Sequence, residues 1–168
     1  MKKKLNLNLK VSLHPITIDE KKIFEEVARK SADFFETFGG GTNSTDFFTE
    51  LPPNQVAEDK LNFVICVEEE PVGVIDMVMN FPQEQTWYIG LFVIVPAYRG
   101  KGVAQVAFQQ LEALVFELGG TALCLAVAED NERARKFWAR NGFIDDNYLP
   151  KFKIHGVKLP TYEMVKKF

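Results

Sequence analysis

The spacing of apolar positions along the chain predicts most of its regular structure. Apolar residues three or four positions apart predict helices over residues 18–29, 102–118 and 131–140. Runs rich in β-branched and aromatic residues predict strands, which cover residues 10–13, 61–68, 72–79, 86–95, 122–128 and 161–165. Strands and helices in this order predict an α+β fold around a mixed sheet.

Residues 38–45 interrupt this pattern between the first helix and the second strand. Three consecutive glycines, Gly39 to Gly41, are followed by small polar residues, and such a run favours no regular element. We therefore predict a mobile loop here. The flanking phenylalanines have two interpretations, a lid over a substrate or anchors that hold the loop to the core; they are Phe34, Phe35, Phe38, Phe47 and Phe48.

Composition and charge exclude several classes of protein. With 168 residues, 46% of them hydrophobic, the chain has the size and composition of a single globular domain over 1–168, with a flexible polar tail expected at 1–9. The net charge of −3 argues against a nucleic-acid partner, because phosphate binding needs a basic surface. No apolar run approaches the roughly 20 residues of a membrane span, so no membrane association is expected.

The cysteines and histidines point to no metal or nucleophile chemistry. Cys66 and Cys124 lie in apolar runs without neighbouring metal ligands, so we expect core residues and no metal site. Unpaired thiols are typical of a cytoplasmic location. His14 and His155 have no matching partners for a nucleophile–base pair, which argues against a cysteine–histidine enzyme.

The turn between the strand at 86–95 and the helix at 102–118 carries the clearest chemical signal. Its residues are Arg99, Gly100, Lys101, Gly102, Val103 and Ala104. A glycine-rich turn that opens a helix presents unpaired N–H groups and the positive end of the helix dipole, which together favour a phosphate group. The spacing matches neither the dinucleotide fingerprint nor the nucleotide-triphosphate loop. A helix-entry turn without a ligand is the alternative.

These residues match the R/Q-x-x-G-x-G/A motif of the GNAT N-acetyltransferase superfamily, which this chain resembles. Residues 91–96 resemble the central strand of that family, and a second motif, N-x-x-A-x-x-F-Y ending in G-F, is similar to Asn131, Ala134, Phe137, Trp138, Asn141, Gly142 and Phe143. The strong part of the resemblance covers 86–143. It implies a three-layer fold, with a mixed, mostly antiparallel sheet flanked by helices and a splay between central strands.

The resemblance also implies acetyl-CoA as co-substrate and an amine of a small molecule or peptide as acceptor. The pyrophosphate would bind at Arg99 and at the backbone amides of Gly100, Lys101, Gly102, Val103 and Ala104. The pantetheine would lie beside Phe92, Val93 and Ile94, with Asn131, Phe137 and Trp138 on its other side. Transfer would be direct, in a ternary complex, and a homodimer is left open.

The catalytic residues are less well defined. The family's tyrosine, often the acid, is replaced by Trp138, whose indole N–H has no titratable proton in the useful range. The substitute acids and bases that we consider first are Tyr88, Asp76 and Glu84, with Tyr148 and Tyr162 in the C-terminal part. Each of them has a structural interpretation as an exposed or hydrogen-bonded residue. The leading function is an acetyl-CoA-dependent N-acetyltransferase, and the alternative is a non-catalytic acyl-CoA binding or sensing domain.

Overall fold

The computed structural model describes residues 8–38, 41–154 and 157–168. The helices in these ranges are α1 (Lys21–Lys30), α2 (Ala32–Phe38), α3 (Ser44–Thr49), α4 (Val103–Glu117) and α5 (Glu132–Arg140). The strands are β1 (Val11–Pro15), β2 (Lys60–Val67), β3 (Glu70–Val78), β4 (Thr86–Ile94), β5 (Ala122–Ala128), β6 (Ile144–Leu149), β7 (Lys153–Ile154), β8 (Val157–Lys158) and β9 (Thr161–Lys167).

Seven of these strands form one mixed sheet in the order β1-β2-β3-β4-β5-β9-β6. β4 and β5 are parallel, and the other neighbouring strands in the sheet are antiparallel. Val74 and Ile75 are adjacent in β3 and both are fully buried, so the sheet is covered on both faces. α1 packs on β3, while α4 contacts β1 and β4. The predicted α+β fold around a mixed, mostly antiparallel sheet is confirmed.

β4 and β5 separate part of the way along their length. They pair from Thr86 opposite Ala122 to Ile89 opposite Leu125, after which β4 continues to Ile94 with no β5 partner. At the same point β4 contains one extra residue relative to β3, because Met77 pairs with Ile89 and Asp76 pairs with Leu91. Gly90 is that extra residue. The last residues of β4 are therefore free on the β5 side, which confirms the predicted splay.

The main difference from the prediction concerns the segment between α1 and β2. The loop predicted for 38–45 is wrong at both ends, because Phe38 ends α2 and Ser44 begins α3. The side chain of Asn43 caps α3 by accepting a hydrogen bond from the Asp46 N–H at 3.2 Å. Gly39 and Gly40 lie outside the described residues, and so do His155 and residues 1–7 of the tail predicted for 1–9.

The phenylalanines of this segment explain why short helices form there. Phe35, Phe47 and Phe48 are buried in the core, and Phe47 stacks on Phe24 of α1 with ring centroids 4.2 Å apart. These three residues are anchors, as one of the two interpretations predicts. No helix in the described ranges combines the length and the hydropathy that crossing a membrane requires.

Candidate active site

A cavity of about 350 Å³ opens where β4 leaves β5. The last residues of β4, Phe92, Val93 and Ile94, line one side of it. The turn before α4 adds Arg99, Gly100, Gly102 and Ala104, and α5 with its capping residue adds Asn131, Phe137 and Trp138. The structure therefore brings together ten residues that the sequence predicts for acetyl-CoA. The volume lies in the ordinary range of small-molecule sites, which is about 300–1,000 Å³.

The turn before α4 depends on two glycines with left-handed backbone. Gly100 has φ +72° and Gly102 has φ +83°, a region that other residues rarely adopt. Gly102 precedes the first residue of α4, and its carbonyl accepts the first hydrogen bond of that helix from the Val106 N–H. The N–H groups of the first turn consequently have no acceptor within the helix. A Cβ atom built on Gly102 would meet no atom within 4 Å, so the turn faces open space.

Two predicted cofactor residues in this turn do not line the cavity. The Lys101 ammonium lies 5.5 Å from the ring centroid of Tyr98. Val103 is only 1% exposed, and its side chain belongs to the core. Lys101 and Val103 can therefore contribute backbone groups and, for Lys101, long-range charge.

Arg99 is engaged in contacts within the protein. Its Nε donates a hydrogen bond to the Ile94 carbonyl at 2.7 Å, and its two terminal nitrogens lie 2.5 and 3.2 Å from the carboxylate oxygens of Asp33. Asp33 belongs to α2, and hydrogen bonding to Arg99 lowers the pKa of this carboxyl. The motif arginine thus joins α2 to the end of β4.

The sequence analysis missed several residues of the cavity wall. They are Asp33, Tyr98, Gln105, Arg133 and Arg140, and two of the flanking phenylalanines, Phe34 and Phe38, line it as well. Gln105 of α4 exchanges two amide hydrogen bonds with Asn141 after α5, at 2.7 and 3.1 Å, and this contact fixes the two helices side by side. One of these residues could have been found from the sequence. Arg133 is a basic residue in the first turn of α5, two residues after Asn131 of the second motif.

Trp138 is part of an aromatic cluster at the inner end of the cavity. It is 6% exposed and meets Phe92, Phe108 and Phe143 edge-on, with centroids 5.2–5.4 Å apart. This packing accounts for a large apolar residue at the position. The indole forms a wall between the cavity and the core.

Asp76 lies at the point where the strands separate. Its Oδ1 accepts hydrogen bonds from the Lys60 ammonium at 2.8 Å and the Asn62 amide at 3.2 Å. Its Oδ2 lies 2.8 Å from the position that a Cβ on Gly90 would occupy, so this oxygen faces the glycine of the β4 bulge. Burial raises the pKa of Asp76 to about 6, although Lys60 acts in the opposite direction.

Tyr88 lies two residues before Gly90, in the part of β4 that still pairs with β5. It is half-buried, opposite Cys124, with its ring edge-on to Phe81 at 5.5 Å. Burial raises its pKa, so the phenol stays protonated at neutral pH. Glu84 lies in the exposed turn before β4 and does not line the cavity.

The remaining candidates from the sequence, Tyr148 and Tyr162, lie outside the cavity lining, and so does His14. The Tyr148 hydroxyl donates a hydrogen bond to Glu129, and its ring contacts Tyr162 at 4.8 Å, away from the cavity lining. His14 shares a hydrogen bond with Ser12. Within the described ranges, no group of three or more potential ligands is arranged to hold a metal ion.

The family model described as Acetyltransferase (GNAT) family matches residues 25–143, which is more than half of the chain. The chain therefore belongs to the GNAT family of acetyltransferases. Among curated proteins, Uncharacterized N-acetyltransferase YdgE of Bacillus subtilis (strain 168) is 38% identical over 66 residues, which span 39% of this chain and 41% of YdgE. The match thus covers less than half the length of that relative.

Solved structures share the fold over nearly the whole chain. An acetyltransferase from Thermus thermophilus superposes with a TM-score of 0.75 at 21% identity, covering 95% of this chain and 98% of that one. The PaiA N-acetyltransferase from Thermoplasma acidophilum, solved in complex with coenzyme A, superposes with a TM-score of 0.69 at 15% identity, covering 95% and 100%.

Proposed function

We propose that this protein transfers an acetyl group from acetyl-CoA to a primary amine of a small molecule or peptide, directly and in a ternary complex. One observation carries the proposal: the unpaired end of β4 leads into a left-handed glycine turn at the start of α4, and both border one cavity. An extended thiol arm could hydrogen-bond to the free strand edge while the phosphates accept hydrogen bonds from the turn. The complex of the PaiA enzyme with coenzyme A supports this choice of ligand.

The residues present suit acetyl-CoA in shape and chemistry. Phe92 and Val93 offer main-chain groups that have no β5 partner, whereas the Ile94 carbonyl already accepts a hydrogen bond from Arg99. The N–H groups from Gly100 to Ala104 offer donors for the pyrophosphate. Phe137 and Trp138 supply an apolar wall for the thiol arm, while Asn131 caps α5 at the rim. Bound there, the co-substrate supplies an acetyl thioester near the strand separation.

Asp76 is the base in this proposal. An amine acceptor is an ammonium ion at neutral pH, and it must lose a proton before its nitrogen can attack. The Oδ2 atom of Asp76 is directed toward the bulge at Gly90, and a carboxyl with a pKa of about 6 is ionised at pH 7.5. Asp76 accepts the amine proton, the N–C bond forms, the C–S bond breaks, and the thiolate leaves.

Tyr88 has a different role in this scheme. A thiol of CoA has a pKa of about 8.5, whereas burial raises the pKa of Tyr88 above the ordinary value of 10.0 for a phenol. Full proton transfer from Tyr88 to the thiolate would therefore be unfavourable. Tyr88 does not line the cavity, so in this scheme its phenol contributes no more than a hydrogen bond near the strand separation, and solvent returns the proton to the thiolate. We expect Tyr88→Phe to lower turnover less than tenfold, measured by thiol release.

A binding or sensing domain is the second candidate, because Trp138 replaces the family's tyrosine and carries no acidic proton. Two measurements separate the candidates. Calorimetry should show binding of acetyl-CoA and CoA but not ATP. Thiol release should then occur with at least one member of a panel of polyamines, aminoglycosides, amino acids and peptides with free N-termini. CoA binding without thiol release from any acceptor favours the sensing domain, and specific ATP binding contradicts both candidates.

Trp138 provides a further test of the same question. We expect Trp138→Tyr to change turnover less than tenfold, which is less than about 1.4 kcal/mol in activation free energy, because the thiolate is already a good leaving group. Trp138→Ala should raise the dissociation constant of CoA and lower the melting temperature, since the indole packs against three phenylalanines. A much larger gain of turnover in Trp138→Tyr would indicate that the chain has lost a working acid.

The proposal includes two further expectations, one on cellular location and one on oligomeric state. A cytoplasmic location is consistent with the free thiols of Cys66 and Cys124. A homodimer stays a prediction, which sedimentation velocity at assay concentration tests.

A further inference from the structure

The arginine of the glycine turn and the arginine of α5 differ in what they already contact. Arg99 donates to the Ile94 carbonyl and to both carboxylate oxygens of Asp33, so three of its N–H groups are used within the protein. Its side chain is only 25% exposed, and its charge is balanced by Asp33. Arg99 thus has little unbalanced charge to offer a phosphate.

Arg133 is better placed to supply that charge. It lies in the first turn of α5, is exposed, and lines the cavity. Its Nη2 atom lies 3.6 Å from the position of a Cβ on Gly100, directly beside the glycine turn. Within the described ranges, no carboxylate lies within 4.0 Å of its guanidinium.

From this contrast we propose a division of roles that rests on the proposed function. Arg133 is the side chain that binds the phosphate charge of the co-substrate at the glycine turn. Arg99 is a positioning residue: through Asp33 it holds α2, and with it Phe34 and Phe38, as one wall of the cavity. The arginine of the glycine turn therefore shapes the site, and an arginine outside that turn, Arg133 of α5, recognises the ligand.

The test measures the dissociation constant of CoA by calorimetry at 25 and 300 mM NaCl. Screening weakens a contact between opposite charges, so binding to the unaltered protein should weaken as salt rises. Arg133→Ala should raise the dissociation constant at low salt by about 10- to 150-fold, as expected for one charge-assisted contact. Arg133→Ala should also make the dissociation constant depend less on the salt concentration. Arg133→Lys should restore part of the affinity and part of the salt dependence.

The variants of the Arg99–Asp33 pair should behave differently. Arg99→Ala and Asp33→Ala should each raise the dissociation constant about two- to fivefold, because the pair is partly exposed, and both should keep the salt dependence of the unaltered protein. The double variant should raise the dissociation constant of CoA no more than Arg99→Ala alone does. The control for Arg133→Ala is Lys136→Ala, which removes a positive charge from an exposed site on α5 that does not line the cavity. It should change neither the dissociation constant of CoA nor its salt dependence.

Two results would overturn this division of roles. One is a flattened salt dependence in Arg99→Ala together with an unchanged one in Arg133→Ala. The other is tighter CoA binding in Asp33→Ala, which would show that Asp33 holds Arg99 away from the phosphates. Both results require CoA binding by the unaltered protein, so they are distinct from a failure of the proposed function, in which no CoA binds.

Discussion

Asp76→Asn is expected to lower turnover by about 10²- to 10⁴-fold, the usual contribution of a general base, while the dissociation constant of acetyl-CoA changes little. The asparagine keeps an oxygen that accepts hydrogen bonds from Lys60 and Asn62, but it cannot accept the proton of the acceptor. Asp76 does not line the cavity assigned to acetyl-CoA, so co-substrate binding should survive. Thiol release and calorimetry measure the two quantities separately.

The pH dependence of the same enzyme provides an independent readout. Because Asp76 must be ionised to act as a base and its pKa is raised to about 6, kcat/KM should rise with pH through about 6 and then level off until other groups titrate. This rise of kcat/KM with pH, the acidic limb of the profile, should be absent from the residual activity of Asp76→Asn. Lys60 lowers the pKa of Asp76 through its charge, so Lys60→Gln should move the limb to higher pH.

Two control variants make this prediction specific. Asp19→Asn removes an exposed carboxylate outside the cavity lining and should leave both turnover and the pH profile unchanged. Glu84→Gln tests the other carboxylate that the sequence suggests. If Glu84→Gln abolished thiol release while Asp76→Asn retained it, the base would belong to the turn before β4 and the assignment to Asp76 would be wrong.

The elements that the sequence predicted well are those whose signal is local. α4 and α5 have apolar positions at helical spacing and end beside a glycine or an asparagine, and β4 and β5 are long apolar runs. α2 and α3 have only 7 and 6 residues. Both contact α1 and carry buried phenylalanines, of which Phe47 of α3 stacks on Phe24 of α1. That packing is tertiary, so no periodicity reveals it in so short a segment.

The same distinction between local signals and tertiary contacts applies to the residues of the candidate site. The glycine turn is contiguous, and its chemistry could be predicted because the left-handed positions and the start of the helix lie within a few residues. Asp76 was one of several candidate acids and bases in the sequence. Its partners Lys60 and Asn62 come from β2, and only the register of β2 and β3 brings the three side chains together. The partner of Arg99 lies 66 residues away in α2, a helix that the sequence did not predict.

Gly102→Val is expected to weaken CoA binding by at least about 100-fold, because it disturbs the backbone that presents the first N–H groups of α4. Gly102 has φ +83°, where a β-branched residue is strongly disfavoured, so the turn must change its path or bear strain. Each hydrogen bond to a charged group contributes about 1.5–3 kcal/mol, so loss of two of them accounts for the effect. Gly102→Val should therefore lower the affinity for CoA more than Arg99→Ala does.

The opposite end of the same helix offers a matched control. Gly119 follows α4 with φ +86°, and, as at Gly102, a Cβ built there would meet no atom within 4 Å. Gly119→Val should therefore impose a similar backbone strain, and both variants should lower the melting temperature by a similar amount. Only Gly102→Val should lose CoA affinity, because only Gly102 lines the cavity. Equal CoA affinities of the two variants, measured by calorimetry on folded protein, would exclude the turn as the phosphate site.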